Sequence, residues 1–163
     1  MTTRKMSVWS PAELHRHLNE GSRFAILDVR NRDEFDGWKI EGKGPIRTIN
    51  IPYYDLLDLE EEDEEIAAAV ARAVPERLKD SLPRGGGPIL AVCAKGDTST
   101  HVAEGLRRLG YQAFNLEGGM AAWGDHYEML AVEETRRLTI LQISRPARGC
   151  LSYLLASGGE AMV

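Results

Sequence analysis

Cysteine is scarce in this sequence, and its scarcity excludes several classes of protein. The chain has 163 residues and two cysteines, Cys93 and Cys150, with no C-x-x-C pair. Two thiols so far apart form neither a disulfide framework nor a thiolate zinc site. We therefore expect a protein of a reducing compartment and a cytoplasmic localisation.

Long apolar runs and an excess of basic charge are also missing. No stretch approaches the roughly 18 apolar residues that would span a bilayer, and the first residues, MTTRKMSVWSPAEL, lack the apolar core of a secretory signal. The formal net charge of −5 at pH 7 argues against a nucleic-acid binder, because neutralising phosphates requires a basic face. We expect neither a membrane nor a nucleic acid as partner.

The sequence does contain an alternation of apolar strands with amphipathic helices. Ser10, Pro11 and Glu13 form a capping-box pattern that predicts a helix start, and Gly21 ends that helix. The same patterns predict strands at 24–29, 48–51, 88–92 and 112–116, and helices at 31–35, at 54–82 with an interruption at Pro75, between Cys93 and Gly110, and at 120–123. This alternation predicts an α/β fold with a mainly parallel sheet flanked by helices on both faces.

The pattern changes near Val132. Residues 138–143 and 151–156 read as strands joined by a turn at 145–149, and an apolar run follows a second turn. Two or three strands in about thirty residues cannot form an independent core. We therefore divide the chain into a main domain, 1–130, and a short β-rich tail, 131–163, which either packs on that domain or begins a domain that is cut short.

The stretch AVCAKGDTST carries the clearest chemical signal. It places Cys93 between the end of a buried strand and the start of a helix, where backbone N–H groups converge and the helix dipole stabilises a thiolate. Gly96 permits a positive φ and a close approach of backbone to ligand. A cation and two hydroxyls complete the loop, namely Lys95, Thr98 and Ser99. This set predicts a nucleophilic thiolate that faces an anionic substrate.

Two other interpretations of the loop compete with this one. Cys93 could be a buried small hydrophobe at a strand end, although a packing role requires neither the glycine nor the hydroxyls. A cysteine-dependent phosphatase needs an arginine six positions after the cysteine to bind phosphate, and that position holds Ser99.

Four motifs in order resemble those of the rhodaneses. CAKGDTS is similar to their active-site loop, particularly the thiosulfate sulfurtransferase version, with Lys two and Thr five residues after Cys. LDVRNRDEF at 27–35, INIPY at 49–53 and LEGGMAAW at 116–123 resemble the other segments of that domain. The resemblance implies a rhodanese-like fold for the main domain.

The resemblance also implies a double-displacement sulfurtransferase. Cys93 would be the catalytic residue, taking a sulfane sulfur from thiosulfate or a persulfide and passing it to a thiol or cyanide. The covalent persulfide would be the intermediate, with no cofactor and no metal. The implied substrate-binding residues are Ala94, Lys95, Gly96, Asp97, Thr98 and Ser99, and the implied supporting residues are Asp28 and Arg30.

Two features depart from the family pattern. Rhodaneses often carry Gly-His-Ile after the Glu-Phe helix, whereas this chain reads GWKIEGKGPIRT there. Many single-domain members have Arg where Thr98 stands. The preferred sulfur donor therefore stays open.

The tail has a resemblance of its own. TILQISRPARGCLSYLLASGGEAMV is similar to the opening strands of a metallo-β-lactamase fold, as in rhodanese fusions related to persulfide dioxygenases. The His-x-His-x-Asp-His motif of that family is absent, so we expect a truncated fusion without a metal site, in which Cys150 is structural. The alternative function is a non-catalytic rhodanese module that binds or regulates a metallo-β-lactamase-like partner domain.

Overall fold

The structure, a computed structural model, describes residues 8–44, 46–56, 65–78 and 87–163, and for residues 75–78 the backbone alone. Its elements are β1 (Val8–Trp9), α1 (Pro11–Asn19), β2 (Ala25–Asp28), α2 (Arg32–Gly37), β3 (Arg47–Asn50), α3 (Tyr53–Leu56), α4 (Ile66–Leu78), β4 (Ile89–Val92), α5 (Asp97–Arg108), β5 (Ala113–Leu116), α6 (Gly119–Gly124), β6 (Glu128–Glu134), β7 (Thr139–Arg145), β8 (Cys150–Ser157) and β9 (Glu160–Met162). The chain divides into two compact units, residues 1–122 and 123–163. The domain boundary predicted after residue 130 stays a prediction, because compactness alone does not define a domain.

The first unit contains a five-stranded parallel sheet. Its strands lie in the order β1-β5-β4-β2-β3, and every adjacent pair is parallel. Helices connect the strands, as parallel pairing requires. This confirms the predicted mainly parallel sheet flanked by helices. β4 lies at the centre, so the residue that follows it emerges at the middle of the sheet's carboxyl edge.

Strands β2 and β4 are buried throughout, which explains why their sequences are apolar apart from Asp28 at the end of β2. Side chains alternate between the faces of a sheet. One face packs a cluster from α4, α5 and the sheet that includes Leu27, Val70, Val74, Ile89, Ala91, Val102, Leu106 and Ala113. Ile26 and Leu90 alternate with these residues and are also buried.

Local sequence signals set the helix ends. The Ser10–Glu13 capping box is confirmed: the Glu13 N–H donates to Ser10 Oγ at 3.2 Å, and the Ser10 N–H donates to Glu13 Oε2 at 2.8 Å. The interruption predicted at Pro75 is wrong, because α4 continues to Leu78. Proline removes a single backbone donor, and buried side chains such as Val70 and Val74 hold this helix against its neighbours.

The helix predicted over 54–82 lies partly outside the described residues, which omit 57–64 and 79–86. Its described parts are the short α3 and the longer α4. None of the helices in the described ranges combines the length and the apolar character that crossing a bilayer requires.

The second unit contains a four-stranded antiparallel sheet in the order β6-β7-β8-β9. The strands predicted at 138–143 and 151–156 are β7 and β8, whereas β6 was not predicted. A register shift between Ala131 and Glu133 breaks the alternation that would have revealed β6. Several large apolar side chains of this unit are exposed: Tyr127, Met129, Leu130, Val132, Leu151, Tyr153, Met162 and Val163.

Candidate active site around Cys93

Cys93 directly follows β4 at the carboxyl edge of the parallel sheet. The carbonyls of Cys93 and Ala94 accept hydrogen bonds from the N–H groups of Met120 (2.9 Å) and Ala121 (3.0 Å) in α6. These bonds turn the loop carbonyls toward α6. The Gly96 N–H is then free to face the sulfur.

Within the described ranges, two donors lie within hydrogen-bond distance of the Cys93 sulfur. The Gly96 N–H lies 3.0 Å from Sγ, and the Ser99 hydroxyl lies 3.1 Å from it. Gly96 has φ +95°, a left-handed conformation that aims its N–H back at the sulfur just before α5 begins. The structure places these two of the predicted donors at the sulfur, and their role in binding a substrate stays a prediction.

The surroundings of the sulfur are mixed rather than purely apolar. Cys93 is 6% exposed and belongs to the same cluster as Ala91 and Val102. Packing alone would explain that burial, but it would not explain a backbone N–H aimed at the sulfur and a hydroxyl within hydrogen-bond distance of it. Such donors stabilise a negatively charged sulfur, so the arrangement suits a nucleophile.

Ser99 belongs to a buried network that local sequence patterns do not reveal. Ser99 Oγ lies 2.7 Å from Asn115 Oδ1 in β5. The Asn115 amide nitrogen donates to the Gly96 carbonyl at 3.1 Å and to Thr100 Oγ1 at 2.8 Å. Asn115 is 7% exposed. The sequence signal that could have indicated Asn115 is its single amide within the otherwise apolar strand AFNL.

Two glycines allow α6 to approach the loop. A Cβ on Gly119 would contact the Cys93 carbonyl and would lie 2.7 Å from the Gly96 nitrogen. A Cβ on Gly96 would lie 3.0 Å from the Gly118 nitrogen. These neighbours are backbone atoms that cannot rotate away, so the geometry of the loop depends on hydrogen at these positions.

Asp28 and Arg30 form a buried ion pair at the end of β2, next to β4. The Arg30 guanidinium donates to Asp28 Oδ2 at 2.7 Å and to the Trp38 carbonyl at 2.7 Å. The pair therefore holds the segment that follows α2. The supporting role predicted for these residues toward the Cys93 loop stays a prediction.

The remaining predicted residues lie in the Cys93 loop and at the start of α5, and their exposure to solvent differs. Ala94, Lys95 and Asp97 are exposed and Thr98 is half-buried. Their substrate-binding roles stay predictions. Cys93 and Cys150 are both free thiols, and Cys150 is exposed at the start of β8.

Comparison with known proteins finds similarity to a protein named a sulfurtransferase and to two proteins named rhodanese-like or rhodanese-related. One is the adenylyltransferase and sulfurtransferase UBA4 of Yarrowia lipolytica, 27% identical over 107 residues, which are 66% of this chain and 21% of that protein. A rhodanese-like domain protein from Staphylococcus aureus is 28% identical, with a TM-score of 0.51 over 73% of this chain and 92% of that one. A rhodanese-related protein from Thermoplasma volcanium has the same fold at 24% identity, with a TM-score of 0.50 over 71% and 88% of the two chains.

The family model described as "Rhodanese-like domain" matches residues 10–126. The matched range includes β2 with Asp28, the Cys93 loop, the Gly118–Gly119 pair and α6. The chain therefore belongs to the rhodanese-like domain family.

Proposed function

We propose that this chain is a sulfurtransferase that carries a sulfane sulfur on Cys93. The observation that carries the proposal is the pair of donors on one sulfur, the Gly96 N–H at 3.0 Å and the Ser99 hydroxyl at 3.1 Å. Membership of the rhodanese-like family and the similarity to a protein named a sulfurtransferase support this class of reaction. The chain matches only 21% of that relative's length, so the donor and acceptor are proposed from the site.

The first half-reaction forms the persulfide. The Cys93 thiolate attacks the outer sulfur of thiosulfate, a new S–S bond forms, and the S–S bond of thiosulfate breaks so that sulfite leaves with the bonding pair. The negative charge moves from Sγ to the outer sulfur of the persulfide. Exposed Lys95 offers a cation to the sulfonate end of the donor, and the same steps accommodate a small-molecule persulfide with a thiolate as leaving group.

The second half-reaction returns the free enzyme. A thiolate or cyanide attacks the outer sulfur of the persulfide, and the Cys93 thiolate leaves. The products are the acceptor's persulfide or thiocyanate. The amide of Gly96 and the hydroxyl of Ser99 again stabilise the leaving sulfur, because they already face that position.

Steady-state kinetics test this proposal. Varying thiosulfate and cyanide while measuring thiocyanate should give the parallel double-reciprocal lines of a ping-pong reaction. Cys93→Ser should remove this activity, whereas Cys150→Ser, a matched change at the second free thiol, should retain it. A Cys93→Ser protein with full activity would exclude the proposed nucleophile.

The non-catalytic alternative predicts a different result. A binding module would retain Cys93 yet release no sulfite from thiosulfate. The related proposal, that residues 131–163 begin a metallo-β-lactamase-like partner domain, rests on sequence resemblance alone, since the matching family model ends at residue 126.

A further inference from the structure

The Asn115 side chain has a fixed orientation beneath the Cys93 loop. One of its amide atoms lies 3.1 Å from the Gly96 carbonyl oxygen. A carbonyl oxygen only accepts hydrogen bonds, so this atom must be the amide nitrogen. Asn115 Oδ1 therefore faces Ser99 Oγ, at 2.7 Å.

The Ser99 hydroxyl has one proton and three acceptors within reach, of which the Gly96 carbonyl oxygen at 3.4 Å is the most distant. Asn115 Oδ1 lies 2.7 Å from Ser99 Oγ and Cys93 Sγ lies 3.1 Å from it. When Cys93 is a thiol, Ser99 can donate to Asn115 and accept the S–H. When the thiol proton leaves to solvent, the sulfur becomes an acceptor, and Ser99 can donate to it only by releasing Asn115.

Releasing Asn115 carries a cost. Ser99 is fully buried and Asn115 is 7% exposed. An amide oxygen that loses its donor in such a place is left without a hydrogen bond, which is unfavourable. Formation of the thiolate is therefore opposed by the preference of Ser99 for Asn115.

We propose that Asn115 is a positioning residue that acts on Cys93 through Ser99, by holding the hydroxyl proton that would otherwise stabilise the thiolate. The inference rests on the proposed function only in that it concerns the same sulfur. It assigns to β5 a role that the loop sequence does not reveal. Removing the amide oxygen should increase the thiolate fraction of Cys93.

Alkylation by iodoacetamide at a series of pH values tests this inference, with each cysteine followed separately by peptide mass spectrometry. Asn115→Leu keeps the branched shape of the side chain and removes its hydrogen bonds. We expect the midpoint for Cys93 alkylation to fall, with about threefold to tenfold more thiolate at a pH below the wild-type midpoint. Exposed Cys150 is an internal control. Its alkylation in the same sample shows whether the reagent reacts to the same extent in every variant.

The Ser99→Ala background separates coupling from a direct effect. Without the hydroxyl, adding Asn115→Leu should leave the Cys93 midpoint unchanged. The ionisable side chains on the elements around Cys93 include Lys95, Asp97, His101 and Glu104 on the loop and α5, Asp28 and Arg30 at the end of β2, and Glu117 before α6. All of them are retained in every variant, so they cannot cause a difference that depends on Ser99.

Asn50 provides a matched control for lost stability. Its amide nitrogen also donates to two backbone carbonyls, those of Asp28 at 3.0 Å and Arg30 at 2.9 Å. Asn50→Leu should lower the melting temperature without moving the Cys93 midpoint. Asn115→Val, which suits a strand, replaces the leucine variant if circular dichroism shows that the latter is unfolded.

Two results would overturn the inference. One is an unchanged or higher Cys93 midpoint in a folded Asn115 variant. The other is an equal shift in the presence and absence of Ser99. Alkylation needs no sulfur donor, so these outcomes can be interpreted whether or not the protein transfers sulfur. A protein without sulfurtransferase activity would not by itself give either result.

Discussion

At the scale of single residues, Ser99 is the hydroxyl that contacts the sulfur. The sequence suggested two hydroxyls, and the structure places Ser99 Oγ 3.1 Å from Cys93 Sγ. A hydrogen bond to a charged group contributes about 1.5–3 kcal/mol. Because this bond forms at the expense of the neutral bond to Asn115, Ser99→Ala should lower kcat/KM for thiosulfate by about fivefold to thirtyfold, measured as thiocyanate formation.

Thr98→Val is the comparison for this prediction. It removes the hydroxyl of the adjacent, half-buried residue, whose predicted role is to bind the substrate rather than the resting sulfur, so it should lower kcat/KM by less than Ser99→Ala does. An equal loss in both variants would contradict the assignment of Ser99 as the donor to sulfur.

The sequence revealed the residues of the site that are close together in the chain. Cys93, Gly96 and Ser99 lie within seven positions, so the spacing alone predicted their meeting. Asn115 was missed because it reaches Gly96 and Ser99 only through the pairing of β5 with β4. Pairing between distant segments is not encoded in a local pattern, and a lone amide in an apolar strand does not name its partner.

At the scale of elements, the junction of α6 with the Cys93 loop determines the site. Gly119→Ala would place a Cβ against backbone atoms of Cys93, Ala94 and Gly96, so the loop must move. We expect kcat/KM to fall by more than about tenfold, because a shift of about 1 Å in a catalytic group has effects of this size.

Gly21→Ala is a matched control for the backbone conformation of this substitution. Gly21 has φ +67° and Gly119 has φ +58°, but a Cβ on Gly21 meets no atom within 4 Å. Gly21→Ala should lower stability by about 1 kcal/mol through left-handed strain and leave activity intact. Equal activity in the two variants would contradict the steric argument.

The elements themselves were predicted to different extents. The capping box of α1 and the buried runs of β2 and β4 are strong local signals, and each was found. Pro75 misled because one missing donor does not end a helix that is held by buried side chains. β1 was missed because two residues, Val8 and Trp9, are too few to show an alternation.

At the scale of the whole molecule, folding changes the ionisation of Tyr53. Burial, together with the nearby Tyr54, raises the pKa of Tyr53. The unfolded chain therefore ionises this phenol at a lower pH than the folded chain. Its contribution to stability is complete below about pH 10 and is lost as the pH rises through the folded pKa.

Tyr53→Phe should weaken the alkaline loss of stability. The variant's free energy of unfolding, measured with urea, should decline less between pH 9 and pH 11 than that of the wild type. Tyr54→Phe is the comparison: it removes the smaller of the two causes that raise the pKa of Tyr53 and leaves the burial of Tyr53 in place, so its effect should be smaller. A larger effect from Tyr54→Phe would show that burial of Tyr53 is not the cause.

The central claim is that Cys93 carries the transferred sulfur, and intact-mass spectrometry after incubation with thiosulfate tests it most directly. The account predicts that the wild type and Cys150→Ser each gain the mass of one sulfur atom, that sulfite is released in equal amount, and that cyanide removes the added mass. Cys93→Ser should gain nothing. A gain that persists in Cys93→Ser, or a wild type that gains no sulfur, would contradict the account.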